Sequence, residues 1–538
     1  MKFTNATPEQ QAIATSFFAR HQRDFANVTL TVNVDKHADM QPEAFALSAS
    51  LDSKTAIIKC NSNRAFRYAL NALRKWVRSG ESAIELSDKP DFRFRGVIEG
   101  FYGNPWTHEQ RLRGAELFGD FGMNTFMIAP KDSQWQRFQW RSPLTSEFVS
   151  SLKEIIDRGL ANGVSVSACV SPGLSVCYSD DADVAAVAHR FAQQAEVGAD
   201  HFGLLLDDIP DTLTHEADIA RYPDIATAHA DFANRVREAL IAQYPHARLV
   251  LCPMHYAGRG TEPYLLVMGE NLHPQIDLMW TGRDICSGYL DISDAVIFDR
   301  STRRPPFYWD NYPVNDGSMA RRLHIGPLTG REAGLHKYGA GLLANPSELF
   351  ECSLIPLATI GDYLWTTGSY DPMKSWDAAL ADLISNEGDR TITREFFRNS
   401  LGLSGSWAPA FNEVMGKAAV LWRAGEPQKA AEIFHNHAAA IESAHTRLTS
   451  TDFSVPLLQR EVQPWLALYK VGAGWIEAMA KVLDSVTVAE DRSLHAPAAA
   501  REIIAQLRHD VFHQPYQLFG DAPDGILREL EVELSFDL

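Results

Sequence analysis

Between about residues 93 and 366, short apolar runs alternate with helical stretches eight times, which limits the possible folds more than any other feature of the chain. The runs occupy 94–98, 125–129, 164–168, 202–206, 249–252, 276–280, 306–309 and 341–344, with helical spacing at 147–161, 183–196 and 229–243 between them. Near-continuous apolar runs of this length suit strands buried on both faces, as in a parallel sheet. Eight strand-then-helix units in about 270 residues match the count and size of a (β/α)8 barrel. A doubly wound sheet is the alternative, but it more often carries a glycine-rich phosphate loop after its first strand. Neither GxGxxG nor GxxxxGK[ST] occurs in this chain.

The flanks read differently. Residues 1–90 hold strand-like runs at 28–32, 44–48 and 56–58, a basic amphipathic helix at 64–78 and a last run near 83–86, which predict a small α/β domain. After Thr366 the strands stop, and 377–384, 411–423, 427–443 and 465–483 have helical spacing. The expected fold class is α/β: an N-terminal α/β domain at 1–90, a catalytic TIM barrel at 91–370 and an all-helical domain at 371–538.

A net charge of −18 argues against nucleic acid or an anionic membrane as partner, because both are polyanions. No run reaches the ~18 apolar residues of a membrane span, and the first eight residues lack the apolar centre of an export signal. A cytoplasmic location is the expectation. The six cysteines form no CxxC pair and no Cys/His cluster at zinc spacing, so no metal site is expected. They read as buried free thiols of a reducing compartment. No cofactor is expected.

The fourth run ends in two acids, Leu204-Leu205-Leu206-Asp207-Asp208-Ile209-Pro210. Parallel barrels keep their chemistry at the C-terminal ends of strands. Two adjacent carboxylates in a partly dry pocket do not both ionise cheaply, so their pKa values are pushed apart into an acid and a base. The bland alternative is a helix cap, which is how the second pair, Asp180-Asp181, reads before its alanine-rich helix start. The other strand ends favour chemistry for Asp207-Asp208. They carry Glu99 to Trp106, Pro130-Lys131-Asp132, Ser171-Pro172-Gly173, His255-Tyr256, Trp280-Thr281, Trp309-Asp310-Asn311 and Asn345-Pro346. Aromatic rings beside neutral hydrogen-bonding groups and carboxylates suit a sugar, whose faces stack while its hydroxyls are bonded.

Arg95-Gly-Val-Ile-Glu-Gly-Phe-Tyr-Gly-Asn-Pro-Trp106, Asn124-Thr-Phe-Met-Ile-Ala-Pro-Lys-Asp132, Leu205-Leu-Asp-Asp-Ile209, Trp280-Thr-Gly282, Trp309-Asp-Asn311 and Asn345-Pro346 closely resemble glycoside hydrolase family 84, in order and spacing across the whole barrel. That family contains protein O-GlcNAcases and related β-N-acetylglucosaminidases. The resemblance implies retaining, substrate-assisted hydrolysis of β-linked GlcNAc on a protein or oligosaccharide, in which the 2-acetamido oxygen attacks C1 and forms an oxazoline. It implies that Asp207 orients the acetamido N–H and that Asp208 is the general acid and then the base. By the same resemblance Tyr256 bonds near the acetamido group and leaving oxygen, and Thr281, Ile285 and Trp309 shape the N-acetyl pocket. Gly100, Lys131, Asn311, Asp316 and Asn345 would hold the sugar hydroxyls. Adjacent strand residues point to opposite faces, so both acids reach one sugar only if the strand breaks at Asp207.

The chain departs from the family pattern at Ser133, in Tyr312-Pro313-Val314 before Asn315-Asp316, and at His255. These positions lie toward the rim and bear on the aglycone. The favoured activity is removal of O-GlcNAc from Ser or Thr. The alternatives are a glycosidase recycling cell-wall or other oligosaccharides, and a sugar-binding barrel that has lost activity.

Overall fold

Five strands near the N-terminus, β1 (Lys2–Thr4), β2 (Thr31–Lys36), β3 (Phe45–Ser50), β4 (Thr55–Cys60) and β5 (Ala83–Asp88), form one mixed sheet in the order β1-β2-β4-β3-β5. Every second residue of β4 (Ala56, Ile58, Cys60) is buried, as a strand covered on one face requires. The cover includes the helix Asn63–Ser79, which Ser62 caps and Gly80 ends in a left-handed turn at φ 75°. Phe66, Ala69, Leu70, Leu73 and Trp76 form its buried stripe. This computed structural model describes residues 1–400, 408–520 and 522–536; residues 401–407, 521 and 537–538, within the expected helical domain, lie outside the described residues.

The eight apolar runs form β6 (Phe94–Glu99), β7 (Thr125–Ile128), β8 (Ser165–Ala168), β9 (His201–Leu205), β10 (Arg248–Cys252), β11 (Ile276–Trp280), β12 (Phe307–Asp310) and β13 (Gly341–Ala344). All pairings are parallel, in the order β8-β7-β6-β13-β12-β11-β10-β9. The ring closes just beyond β8, where Val170 N donates to Gly203 O at 3.0 Å and Leu205 N donates to Val170 O at 2.8 Å. Ile98, Met127, Cys169, Leu205, Val250, Met279, Phe307 and Leu343 pack together inside it. The barrel expected from the alternation is therefore the barrel observed.

The described residues fall into two compact units, Met1–Asn311 with Thr329–Glu348 and Ile360–Tyr370, and Tyr312–Leu328 with Leu349–Thr359 and Asp371–Leu538. Within the first, buried arginines tie the small sheet's helix to the barrel. Arg67 pairs with Asp120 at the end of the helix His108–Asp120, and Arg95 on β6 is fully buried, donates to Tyr68 Oη at 2.8 Å and pairs with Glu43 at 2.8 Å.

The second unit is built mainly of helices, among them Pro409–Arg423, Pro427–Leu448 and Gln463–Asp484, around Trp376, Phe411, Trp422, Phe434, Trp465 and Leu483. Its strands do not stop altogether, as the sequence had suggested. β14 (Thr487–Val488), β15 (Leu494–Ala496) and β16 (Leu534–Phe536) form a small sheet, each too short to show an alternation. The cysteines also differ in part from expectation. None of the six forms a disulfide, but Cys177 and Cys286, both in connecting segments, are only partly buried. Among the described residues, no helix is long and apolar enough to cross a membrane.

Candidate active site

β9 ends at Leu205, two residues before the first acid. Leu206 still bonds across to Cys252, after which Asp207 is buried and Asp208 turns into the left-handed region at φ 53°. A non-glycine residue held there stores about 1–3 kcal/mol of strain, and such strain gathers at functional sites. Aspartate is among the residues that tolerate it. The turn resolves the geometric demand of alternation, since both carboxylates now face one ammonium. Lys131, after β7, hydrogen-bonds Asp207 Oδ2 and lies 3.5 Å from Asp208 Oδ2.

Asp208 also accepts from Tyr102 Oη at 2.8 Å on Oδ2 and from Tyr256 Oη at 2.9 Å on Oδ1. Burial pushes its carboxyl up, but Lys131, the two phenols and Arg137 together outweigh burial and hold it below the usual carboxylate range. The two carboxylates do not act on each other alone, as their adjacency suggests, because the Lys131 ammonium contacts both. Burial pushes Lys131 down, the two aspartates push it further up, and the net effect is a firmly charged lysine. Burial first, and then the charge on Asp208, raise the Tyr256 phenol. Asp207 Oδ1 is buried and accepts no hydrogen bond from the described residues.

The opposite wall is one connected network. Asn345, after β13, accepts from Gly100 N at 3.0 Å and donates to Asn311 Oδ1 at 2.9 Å. Trp309 Nε1 donates to the same oxygen at 2.9 Å, and Asn311 Nδ2 donates to Ile285 O at 2.7 Å. The Trp309 ring lies 5.3 Å from Lys131 Nζ, within cation–π range. Behind this wall Asp310 points the other way and pairs with Arg331, both side chains being 2% exposed. Thr281 N donates to Tyr256 O at 2.7 Å, and its hydroxyl donates to Asp284 O at 2.7 Å, pinning the turn that carries Ile285. Ile285 itself is 56% exposed.

These contacts link Asp207, Asp208, Gly100, Lys131, Tyr256, Thr281, Ile285, Trp309, Asn311 and Asn345. Asp316 belongs to the second unit, where it precedes the 3-10 turn Gly317–Met319. Two residues without an expected role stand in the network. Tyr102 had been visible among the strand ends. Arg137 had not: it sits in a five-residue π-helix, Gln134–Phe138, for which sequence periodicity gives no signal.

A parallel barrel whose strand ends gather two carboxylates, two phenols, two amides and an indole is a carbohydrate-processing barrel of the glycoside hydrolase class. The β-N-acetylglucosaminidase profile matches residues 95–397, and the chain belongs to that family, glycoside hydrolase family 84. The protein O-GlcNAcases of Rattus norvegicus and Mus musculus are each 30% identical over 274 residues, 50% of this chain. The match spans only 29% of the length of those relatives. A point mutant of the Thermobaculum terrenum O-GlcNAc hydrolase superposes with a TM-score of 0.74 at 28% identity, over 82% of this chain and 97% of that one. The structure of CpGH84B, at 20% identity, shares the fold with a TM-score of 0.80 over 98% of this chain and 96% of its own.

Proposed function

We propose that this protein is a retaining, exo-acting β-N-acetylglucosaminidase that works by substrate assistance and removes O-GlcNAc from Ser or Thr of proteins or peptides. The observation that carries this reading is the unequal placement of the two acids. Asp207 is buried, accepts from Lys131 on Oδ2 and has its other oxygen unused among the described residues, suited to a substrate acetamido N–H. Asp208 is nearer the solvent and held from both sides by phenols, suited to a leaving oxygen and then to a water.

In this reading Asp207 polarises the N–H, the acetamido oxygen attacks C1, and Asp208 gives its proton to the departing oxygen. The oxazoline is then opened by a water whose proton returns to Asp208. The groups around Asp208 favour its ionised form, so the proton is gained as the sugar covers the carboxyl and shields it from solvent. Lys131, Asn311, Asn345 and Gly100 bind the sugar, Tyr256 steadies the acetamido side, and Thr281, Ile285 and Trp309 line the N-acetyl pocket. Asp316 is proposed as a further hydroxyl ligand on the family resemblance alone. The names of the relatives support a GlcNAc-bearing protein substrate.

The test is turnover of aryl β-N-acetylglucosaminides by the wild type, Asp207→Asn and Asp208→Asn. Both variants are expected to lose on the order of 10²- to 10⁴-fold on poor leaving groups. Only Asp208→Asn should recover as the leaving group improves. An inactive wild type removes the enzymatic reading. Cleavage of chitobiose or muropeptides without cleavage of O-GlcNAc peptides replaces the substrate with an oligosaccharide.

A further inference from the structure

Asp208 is reached from two directions, through its carboxylate and through its own backbone. Arg137 Nη2 donates to the carbonyl oxygen of Asp208 at 2.6 Å, and Nη1 of the same guanidinium donates to Tyr102 Oη at 3.2 Å. Tyr102 Oη in turn donates to Asp208 Oδ2 at 2.8 Å. One planar fork therefore closes a ring through the peptide, the phenol and the carboxylate of a single residue. Because Arg137 has only donors, it obliges the Tyr102 oxygen to accept from it, which leaves the phenolic proton for Asp208.

The fork is rigidly seated. Arg137 is buried in the π-helix Gln134–Phe138, in the same segment after β7 that carries Lys131. Arg190, from the helix Asp181–Ala195, is also buried and donates to Trp135 O at 2.6 Å. Ser171 N donates to Gln136 O at 3.1 Å. The π-turn is thus held from the neighbouring strand end and from the helix behind it, and it presents the guanidinium to Asp208. Single π-turns of this kind are frequent at functional sites.

We propose that Arg137 is a positioning residue for the general acid: it locks the left-handed turn at Asp208 through the carbonyl and aims Tyr102 at the carboxylate. This inference rests on the reading of Asp208 as the acid and adds the group that aims it. Arg137 acts through Asp208 and Tyr102, so its effect belongs to proton delivery and not to sugar binding.

The experiment measures kcat/KM for a series of aryl β-N-acetylglucosaminides of graded leaving-group acidity, with wild type, Arg137→Lys, Arg137→Gln, Tyr102→Phe and Asp208→Asn. Lysine keeps the charge and loses the fork; glutamine keeps a donor and loses the charge. Both Arg137 variants are expected to lose on the order of 10- to 100-fold on the poorest leaving groups and little on the best, steepening the dependence. Tyr102→Phe should steepen it in the same direction and keeps the test valid if the Arg137 variants fold poorly. A parallel loss across the series, or none, in the presence of a steep Asp208→Asn dependence overturns the positioning role alone. A flat dependence for Asp208→Asn overturns the acid assignment and this inference with it.

Discussion

Gly100 and Trp309 touch so closely that a β-carbon on Gly100 would lie 2.3 Å from Cζ2 and 2.6 Å from Cη2 of the indole. Glycine is what allows the ring to lie against the end of β6. Gly100→Ala is expected to push the indole out of place and break its bond to Asn311. A displacement of about 1 Å can cost on the order of 100-fold in rate, and overpacking costs about 1–3 kcal/mol. Steady-state kinetics and thermal unfolding of the variant check this, and an unchanged kcat/KM excludes Trp309 from the sugar site.

Lys131 leads the groups that outweigh burial at Asp208. In Lys131→Met the opposing ammonium is gone and burial is left as the largest influence, so the Asp208 pKa rises. In the proposed role of general acid Asp208 works protonated, so activity falls as pH climbs through that pKa. The maximum of kcat/KM should drop because a proposed sugar contact is lost, while the alkaline limb of its pH profile moves to higher pH. A limb that stays or moves to lower pH contradicts the electrostatic role.

Arg331→Met should be among the most destabilising single changes in the barrel. It leaves the Asp310 carboxylate buried without its ion-pair partner, a loss of about 3–5 kcal/mol for such pairs. Asp310→Asn combined with Arg331→Met should recover part of that loss, because the orphaned charge is removed. Chemical denaturation of both single variants and the double variant measures the coupling.

In the second unit His435 joins two helices, with Nδ1 2.7 Å from Glu477 Oε2 and Nε2 2.8 Å from Asp484 Oδ2. Hydrogen bonds to Asp484 and Glu477 raise its pKa. A raised histidine stabilises fully below its unfolded pKa of about 6.5, and the gain is lost as pH rises through the folded value. All three groups are more than a third exposed, so His435→Gln should cost only about 0.2–1 kcal/mol near pH 5.5 and nothing measurable near pH 9. Thermal unfolding at the two pH values compares them, and an equal cost at both removes the titratable clamp.

The barrel strands were legible to within one residue at each end because a strand buried on both faces writes itself as an unbroken apolar run. The first long strand of the N-terminal sheet was placed three residues early, since Thr31-Val32-Asn33-Val34-Asp35-Lys36 alternates and its apolar content is only half that of a barrel strand. The three-residue β1 left no pattern to find. At the site, the strand-end rule identified Lys131, Asp208, Trp309 and Asn345 because their positions follow directly from the ends of runs. The left-handed turn at Asp208 and the π-helix of Arg137 were beyond it. Both are properties of backbone dihedrals that tertiary contacts impose, and neither residue type announces them.

The end of β12 separates two duties along three residues. Trp309 and Asn311 bond each other within the network that holds Asn345, while Asp310 between them is turned back to Arg331. Chemistry and anchorage therefore occupy interleaved but independent positions. If Ile285 lines the N-acetyl pocket as proposed, it and other exposed loop residues can be exchanged in a library, with the load on the scaffold still carried by a pair that no such library needs to touch. For anyone re-engineering this barrel, the randomisable set and the forbidden set can be written down strand end by strand end.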